Sequence, residues 1–170
     1  IVIAFSPIAQ YEAYNLNFGN KTCLTFTKTA TVSDNVGISV TKVPTSISGP
    51  VMTFEGCFAL STAADGIPIV ASDGMSVYDN GLSLVSSGLM GNTTSPQSGI
   101  IIPWPSKPNF YFVVSNKQGG ISSGGIFYSV YENKGTTGVV TNKNTALNTE
   151  TSGVPTSYLF KNCMTVPHAN

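Results

Sequence analysis

Charge is scarce in this chain. Asp, Glu, Lys and Arg make up 9% of its 170 residues, against roughly 25% in an average globular protein. The eight acids are balanced by eight bases, so the formal net charge is zero. Nucleic-acid binding needs a dense cationic footprint to displace counterions from phosphates, and the sequence has no such cluster. Electrostatic docking on an anionic membrane is excluded for the same reason. Long apolar runs are missing as well, and none approaches the ~20 residues of a membrane span. Cysteine is sparse: Cys23, Cys57 and Cys163 are too few to staple a miniature scaffold and too far apart for a zinc knuckle. One bridge with a leftover thiol, in any of three pairings, and unpaired thiols packed as small apolar groups both remain open.

Helical periodicity is the last absence. No stretch carries apolar residues at i, i+3, i+4 and i+7 without Gly, Pro or β-branched interruptions. What recurs instead is short extended segments between turn residues. The candidates are residues 23–28, 36–43, 56–61, 67–72, 75–79, 99–104, 109–115, 125–131, 138–141 and 158–165. The fold class is therefore all-β. With 41% hydrophobic residues and little charge, the surface must be covered by Ser, Thr, Asn and Gly, a habit of secreted β-rich domains. The length suits one domain or part of a larger one.

Two runs, "GIIIPW" and "FYFVV", are continuously apolar and predict strands covered on both faces. In "LTFT" the pair Leu24 and Phe26 alternates with Thr25 and Thr27, as on a sheet with one wet side. Packed sheets satisfy both patterns, as sandwich layers or as the inner and outer strands of propeller blades. "NFYFVVSNKQGGISSGGIFYSVYEN" reads as a hairpin with a long Gly/Ser-rich loop. At the front, residues 1–10 are uncharged, apolar or small and resemble the tail of a secretory signal peptide, with cleavage expected after Gln10. Export is the expectation, with residues 11–170 as the domain.

The segment "ADGIPIVASDGMSVYDN" holds Asp65, Asp73 and Asp79. Asp-Gly is a hairpin corner because glycine accepts positive φ and aspartate bonds its own backbone, so these acids read as corners. Pro68 lacks a ladder donor and predicts an edge or bulged strand. The aspartate spacing does not fit an EF-hand. The acids available for a glycosidase pair are Glu12, Asp34, Glu55, Asp65, Asp73, Asp79, Glu132 and Glu150, each at a turn or strand end, with Glu55 the least easily explained that way. "GISSG", residues 120–124, matches the nucleophile-elbow pattern around Ser122. The elbow needs a strand-to-helix turn, whereas this motif lies in a hairpin loop, and His168 is the chain's single histidine. Trp104 in "PWP" reads as core in preference to a sugar platform. Asn20 and Asn92 begin glycosylation sequons. No residue is assigned as catalytic, cofactor-binding or metal-binding, and no cofactor is expected.

In order along the chain, "LNFGN" (16–20), "FEGCFALSTAADGIPIVASDGMSVYD" (54–79), "GLMGNTTSPQSGIIIPWP" (88–104), the "FYFVVS…GIFYSVYEN" hairpin and "CMTVPHAN" (163–170) form a pattern. It resembles the N-terminal region of large secreted proteins of gliding Bacteroidetes, which often carry polycystic-kidney-type domains and a type IX secretion sorting domain. The resemblance implies the opening blades of a β-propeller, two to four blades of antiparallel strands, with a β-sandwich as the alternative. Val70, Ala71 and Tyr78 depart from the aromatic positions of the family pattern, and Pro68 replaces an aliphatic residue. It implies a domain cut at its C-terminal end, with His168 a turn residue. The function implied is a non-enzymatic surface, adhesion or scaffold module that binds protein or glycan through propeller loops. A fragment of a propeller-type carbohydrate-active enzyme and a β-sandwich fibre or appendage subunit are the alternatives. An unfinished sheet edge would pair with the rest of its own propeller or with a second chain.

Overall fold

A computed structural model describes residues 15–53, 55–117 and 125–147. Within them the chain is all-β. The strands are β1 (Asn15–Asn17), β2 (Thr22–Ser33), β3 (Ser39–Ser48), β4 (Phe58–Ser61), β5 (Pro68–Ser72), β6 (Ser76–Asp79), β7 (Leu84–Ser87), β8 (Gly99–Pro103), β9 (Phe110–Lys117), β10 (Gly125–Asn133) and β11 (Gly138–Ala146). They form three antiparallel sheets, and in each one the strands neighbour one another in chain order: β1-β2-β3, β4-β5-β6-β7 and β8-β9-β10-β11. Short turn-rich connections account for this, because two strands joined by a few residues can only pair antiparallel. At the β5–β6 corner Gly74 takes φ +87°, a conformation a side chain would strain.

The sheets stack in order. β1 lies against β4, β4 against β8, and β7 against β11, so first strands meet first strands and last meets last. Between the second and third sheets the core holds Ile69, Val70, Val77 and Leu89 together with Ile101, Val113 and Tyr131. Burying one such side chain stabilises by about 1.5–3 kcal/mol. The close approach of β8 to β4 depends on Gly99, where a Cβ would overlap the Val114 carbonyl oxygen and the Phe58 ring. Tyr131, fully buried, donates its hydroxyl to the Ile69 carbonyl at 3.2 Å, which ties β10 to β5 across the interface.

The first sheet is different. Cys23 and Thr25 at its base are buried, but every residue from 26 to 42 is exposed. The far halves of β2 and β3 therefore project as an arm roughly 25 Å long at the usual rise per residue. The pairing breaks register between Thr25 and Thr29 and again between Ala30 and Val32, the bulges that twist a two-stranded ribbon.

Several expectations from sequence need correction. The alternation in "LTFT" has the right period and the opposite phase: Thr25 is 1% exposed and Phe26 is 38% exposed, because Cys23 and Thr25 face the second sheet. Of the two readings of Pro68, the edge strand is wrong, since β5 lies between β4 and β6, and the bulged strand is right. Pro68 sits at the first position of β5 beside a register break at Leu60/Ser61, where the missing N–H is tolerated. β3 is displaced from the predicted 36–43, and β2 and β11 outrun 23–28 and 138–141. β1 and β7, with three and four residues, are too short to announce themselves. In "GIIIPW" Ile101 is buried, while Ile100 and Ile102 on the other face are half-buried. The segments 1–10 and 158–165 lie outside the described residues.

Candidate functional site

The aspartates are turn residues. Asp65 Oδ1 accepts the Ile67 amide at 3.3 Å and the Thr62 hydroxyl. Asp73 Oδ1 accepts the Met75 and Ser76 amides at 2.8 and 2.6 Å, and Asp79 Oδ1 accepts those of Gly81 and Ser83 at 3.0 and 2.9 Å. In each the carboxylate stands in for a backbone acceptor and fixes the turn. The Thr62 hydroxyl and then the Ile67 amide hold the Asp65 carboxyl below its ordinary range. Asp34 does the same work at the arm's tip, accepting the Val36 and Ile38 amides at 3.0 and 2.9 Å. These four acids occupy four separate corners.

The other candidates are placed as follows. Glu55 is exposed, and its amide donates to Thr53 Oγ1 at 3.3 Å. Glu132, near the end of β10, pairs with Lys134 at 3.7 Å. Glu12, Glu150, Ser122 with the 120–124 motif, and His168 lie outside the described residues, as does Cys163. Trp104 is half-buried and not part of the main core. Its ring stacks on Phe112 at 4.6 Å and meets Phe110 edge-on at 6.2 Å, while the Lys107 ammonium sits 4.4 Å from its centroid. A sugar stacking on that ring would compete with partners from its own hairpin. Asn20 is exposed at the β1–β2 turn, and Asn92 Oδ1 accepts the Thr94 amide at 2.9 Å.

The most site-like feature is a cavity of about 110 Å³ between the first and second sheets, lined by Asn15, Asn17, Cys23, Ala59, Asp79 and Asn80 among others. Small paired residues, Ala59 opposite Ala71, leave the room. Asn15 is buried and donates to Ser61 Oγ at 2.9 Å and to the Gly66 carbonyl at 2.6 Å, which anchors β1 to the second sheet. The side-chain oxygens of Asn17 and Asn80 are buried without a protein donor, and Asp79 is 5% exposed. The wall therefore offers acceptors, which suit water or an N–H or O–H donor. It offers no activated nucleophile: burial pushes the Cys23 thiol up, and the Cys57 thiol likewise, which keeps both protonated at neutral pH. Cys57 donates its S–H to the Asn17 carbonyl at 2.8 Å, and both cysteines are free.

A second polar group closes the seam between the second and third sheets. Ser98 donates its hydroxyl to the Gly56 carbonyl at 2.8 Å, the Gly56 amide donates to the Ser95 carbonyl, and the Asn116 amide to the Ser98 carbonyl. Ser95, Ser98 and Asn116 are all 0% exposed. Buried small polar side chains of this kind satisfy backbone groups where the 88–98 connection crosses the sheets. Sequence reading missed Asn15, Asn17, Asn80, Asn116 and these serines. The closest thing to a signal was the pairing of small polar residues in "NLN" and "SPQS".

Among the described residues no three His, Cys, Asp or Glu side chains stand close enough to hold a metal ion, and no helix is long and apolar enough to cross a membrane. No family model, no curated protein and no solved structure matches the chain.

Proposed function

We propose that the three sheets are successive blades of a partial β-propeller, and that the chain serves as a non-enzymatic module of a larger secreted surface protein, binding protein or glycan through loops at the rim of the blades. The observation that carries the reading is the order of the stack. Each sheet is a meander in chain order, and its first strand lies on the first strand of the sheet before it, the relation that radial repetition of blades produces. The binding role is supported by the employment of the acids: the carboxylates of Asp34, Asp65, Asp73 and Asp79 already hold turns, which leaves loops and cavity walls as recognition surfaces. Export is supported by the uncharged residues 1–10 and by the likeness to secreted proteins of the gliding type. The test is binding of the purified protein to an array of surface glycans and to cells of the producing organism. Saturable binding to either is the expected result. Hydrolysis of a glycoside or peptide that depends on Asp79 or Glu55 would overturn the reading in favour of an enzyme.

A further inference from the structure

Asn80 and Gly81 form the chain's single Asn-Gly pair, and they sit at a corner that joins two sheets. They are the central residues of a turn in the β6–β7 connection, closed by the Leu82 amide donating to the Asp79 carbonyl at 3.0 Å. Asn-Gly suits such corners, but asparagine is a thermolabile residue and is least durable before glycine. With no side chain to shield it, the glycine amide nitrogen attacks the asparagine Cγ. The new N–C bond closes a five-membered imide, and the Nδ2 atom leaves as ammonia. Water then opens the imide at either carbonyl and gives aspartate or isoaspartate, with no oxidant or cofactor consumed.

Three features of this corner oppose the first step. The Gly81 amide donates to Asp79 Oδ1 at 3.0 Å, a charge-assisted bond that fixes the peptide plane between Asn80 and Gly81. The imide ring contains the Asn80 Cα–C bond, so closing it rotates that plane out of the turn and breaks this bond and the one from Leu82. Asn80 Nδ2, the leaving group, donates to the Gly135 carbonyl at the β10–β11 corner. Asn80 Oδ1 is buried without a protein donor, so nothing there stabilises the negative charge that attack would place on it.

We propose that Asn80 is a deamidation site whose conversion is gated by opening of this corner and, once complete, separates the rim of the second sheet from that of the third. The product loses the contact because an oxygen replaces the Nδ2 donor and faces the Gly135 carbonyl, acceptor against acceptor. The Thr136 carbonyl oxygen, 3.9 Å from where a Gly81 Cβ would stand, adds to the repulsion. Isoaspartate also lengthens the main chain by one carbon between β6 and β7, which disturbs the pairing of Tyr78 with Leu84.

Peptide mapping by mass spectrometry tests it, following the amide-to-acid mass gain at Asn80 in the full chain, in the chain held unfolded in urea, and in the capped peptide VYDNGLS. The folded chain should convert about 100-fold or more slowly than the peptide, and the unfolded chain at the peptide's rate. Asp79→Ala frees the Gly81 amide and should speed conversion of the folded chain at least about tenfold. If that variant fails to fold, Asn133→Ala loosens the opposite corner, where Asn133 Oδ1 accepts the Gly135 amide at 3.0 Å. It should speed conversion at Asn80 at least about threefold. Conversion of the folded chain as fast as the peptide, or an unchanged rate in the folded variants, would overturn the gating. Converted protein, isolated by its added negative charge, should exchange the Leu82 and Ser83 amides at least about tenfold faster than unconverted protein. Equal exchange in the two would overturn the separation of the rims.

Discussion

The β2–β3 arm and the β5–β6–β7 strands are made from similar parts, and they end up in opposite environments. Both are short-sided alternations of Val, Ser, Thr and Ala turned by an aspartate, Asp34 in one and Asp73 or Asp79 in the other. In the arm Val32, Val36 and Val40 are 54%, 80% and 58% exposed, while in the second sheet Val70 and Val77 are 1% and 0% exposed. Turn chemistry alone can thus shape a hairpin, but burial against another sheet is what makes it part of a cooperative unit. A lone two-stranded ribbon is marginal in water, so the arm opens at low cost while the stacked sheets unfold together.

Substitutions can break this contrast. The largest effect is expected from Gly99→Val, whose side chain would overlap Val114 and Phe58. It should cost about 3 kcal/mol or more, whereas Gly37→Ala at the arm, with open space around it but φ +86°, should cost about 1 kcal/mol and only locally. Urea unfolding of both variants, with arm amides followed separately, measures the difference. Next, Val77→Ala should lose about 2 kcal/mol through lost burial and a residual cavity, and Val40→Ala should stay within about 0.5 kcal/mol; equal losses would mean that the arm is packed in solution. Third, Asp79→Ala strips two amides of their acceptor at a buried corner and should cost about 1–2 kcal/mol. Asp34→Ala leaves its amides to water and should cost less than half as much.

The smallest effect sharpens the comparison by pH. Burial first, then the charges of Asp79 and Tyr111, push the Tyr131 phenol up to about 12 from an ordinary 10. The folded state therefore keeps a proton that the unfolded chain releases. The stabilisation is intact below pH 10 and disappears as pH rises through 12. Urea midpoints should fall across that window in the unaltered protein, and Tyr131→Phe should flatten the fall while losing about 1 kcal/mol at neutral pH with the hydrogen bond to Ile69. A parallel decline in both proteins would assign the alkaline loss to other groups.

Strand identity and the corners were legible because period-two alternation and Asp-Gly pairs are local signals, and residues 67–72, 75–79 and 99–104 nearly coincide with β5, β6 and β8. Phase was harder to read. Thr25 is buried and Phe26 is exposed because a sheet contributed by residues 58–87 decides which side of β2 is inside, and no local pattern encodes that. The interior position of β5 was only half legible: Pro68 allows an edge or a bulge, and the register break at Leu60/Ser61 that decides for the bulge exists only once β4 has paired. The cavity was out of reach altogether, since Asn17, Asp79 and Asn80 come together only after the first two sheets have stacked.

The lone tryptophan sits within a single hairpin. Trp104 belongs to the β8–β9 connection, where its amide donates to the Phe110 carbonyl and Lys107 crosses its ring. Intrinsic fluorescence therefore monitors one corner of the third sheet and stays largely blind to the arm, a local optical gauge that needs no engineered dye.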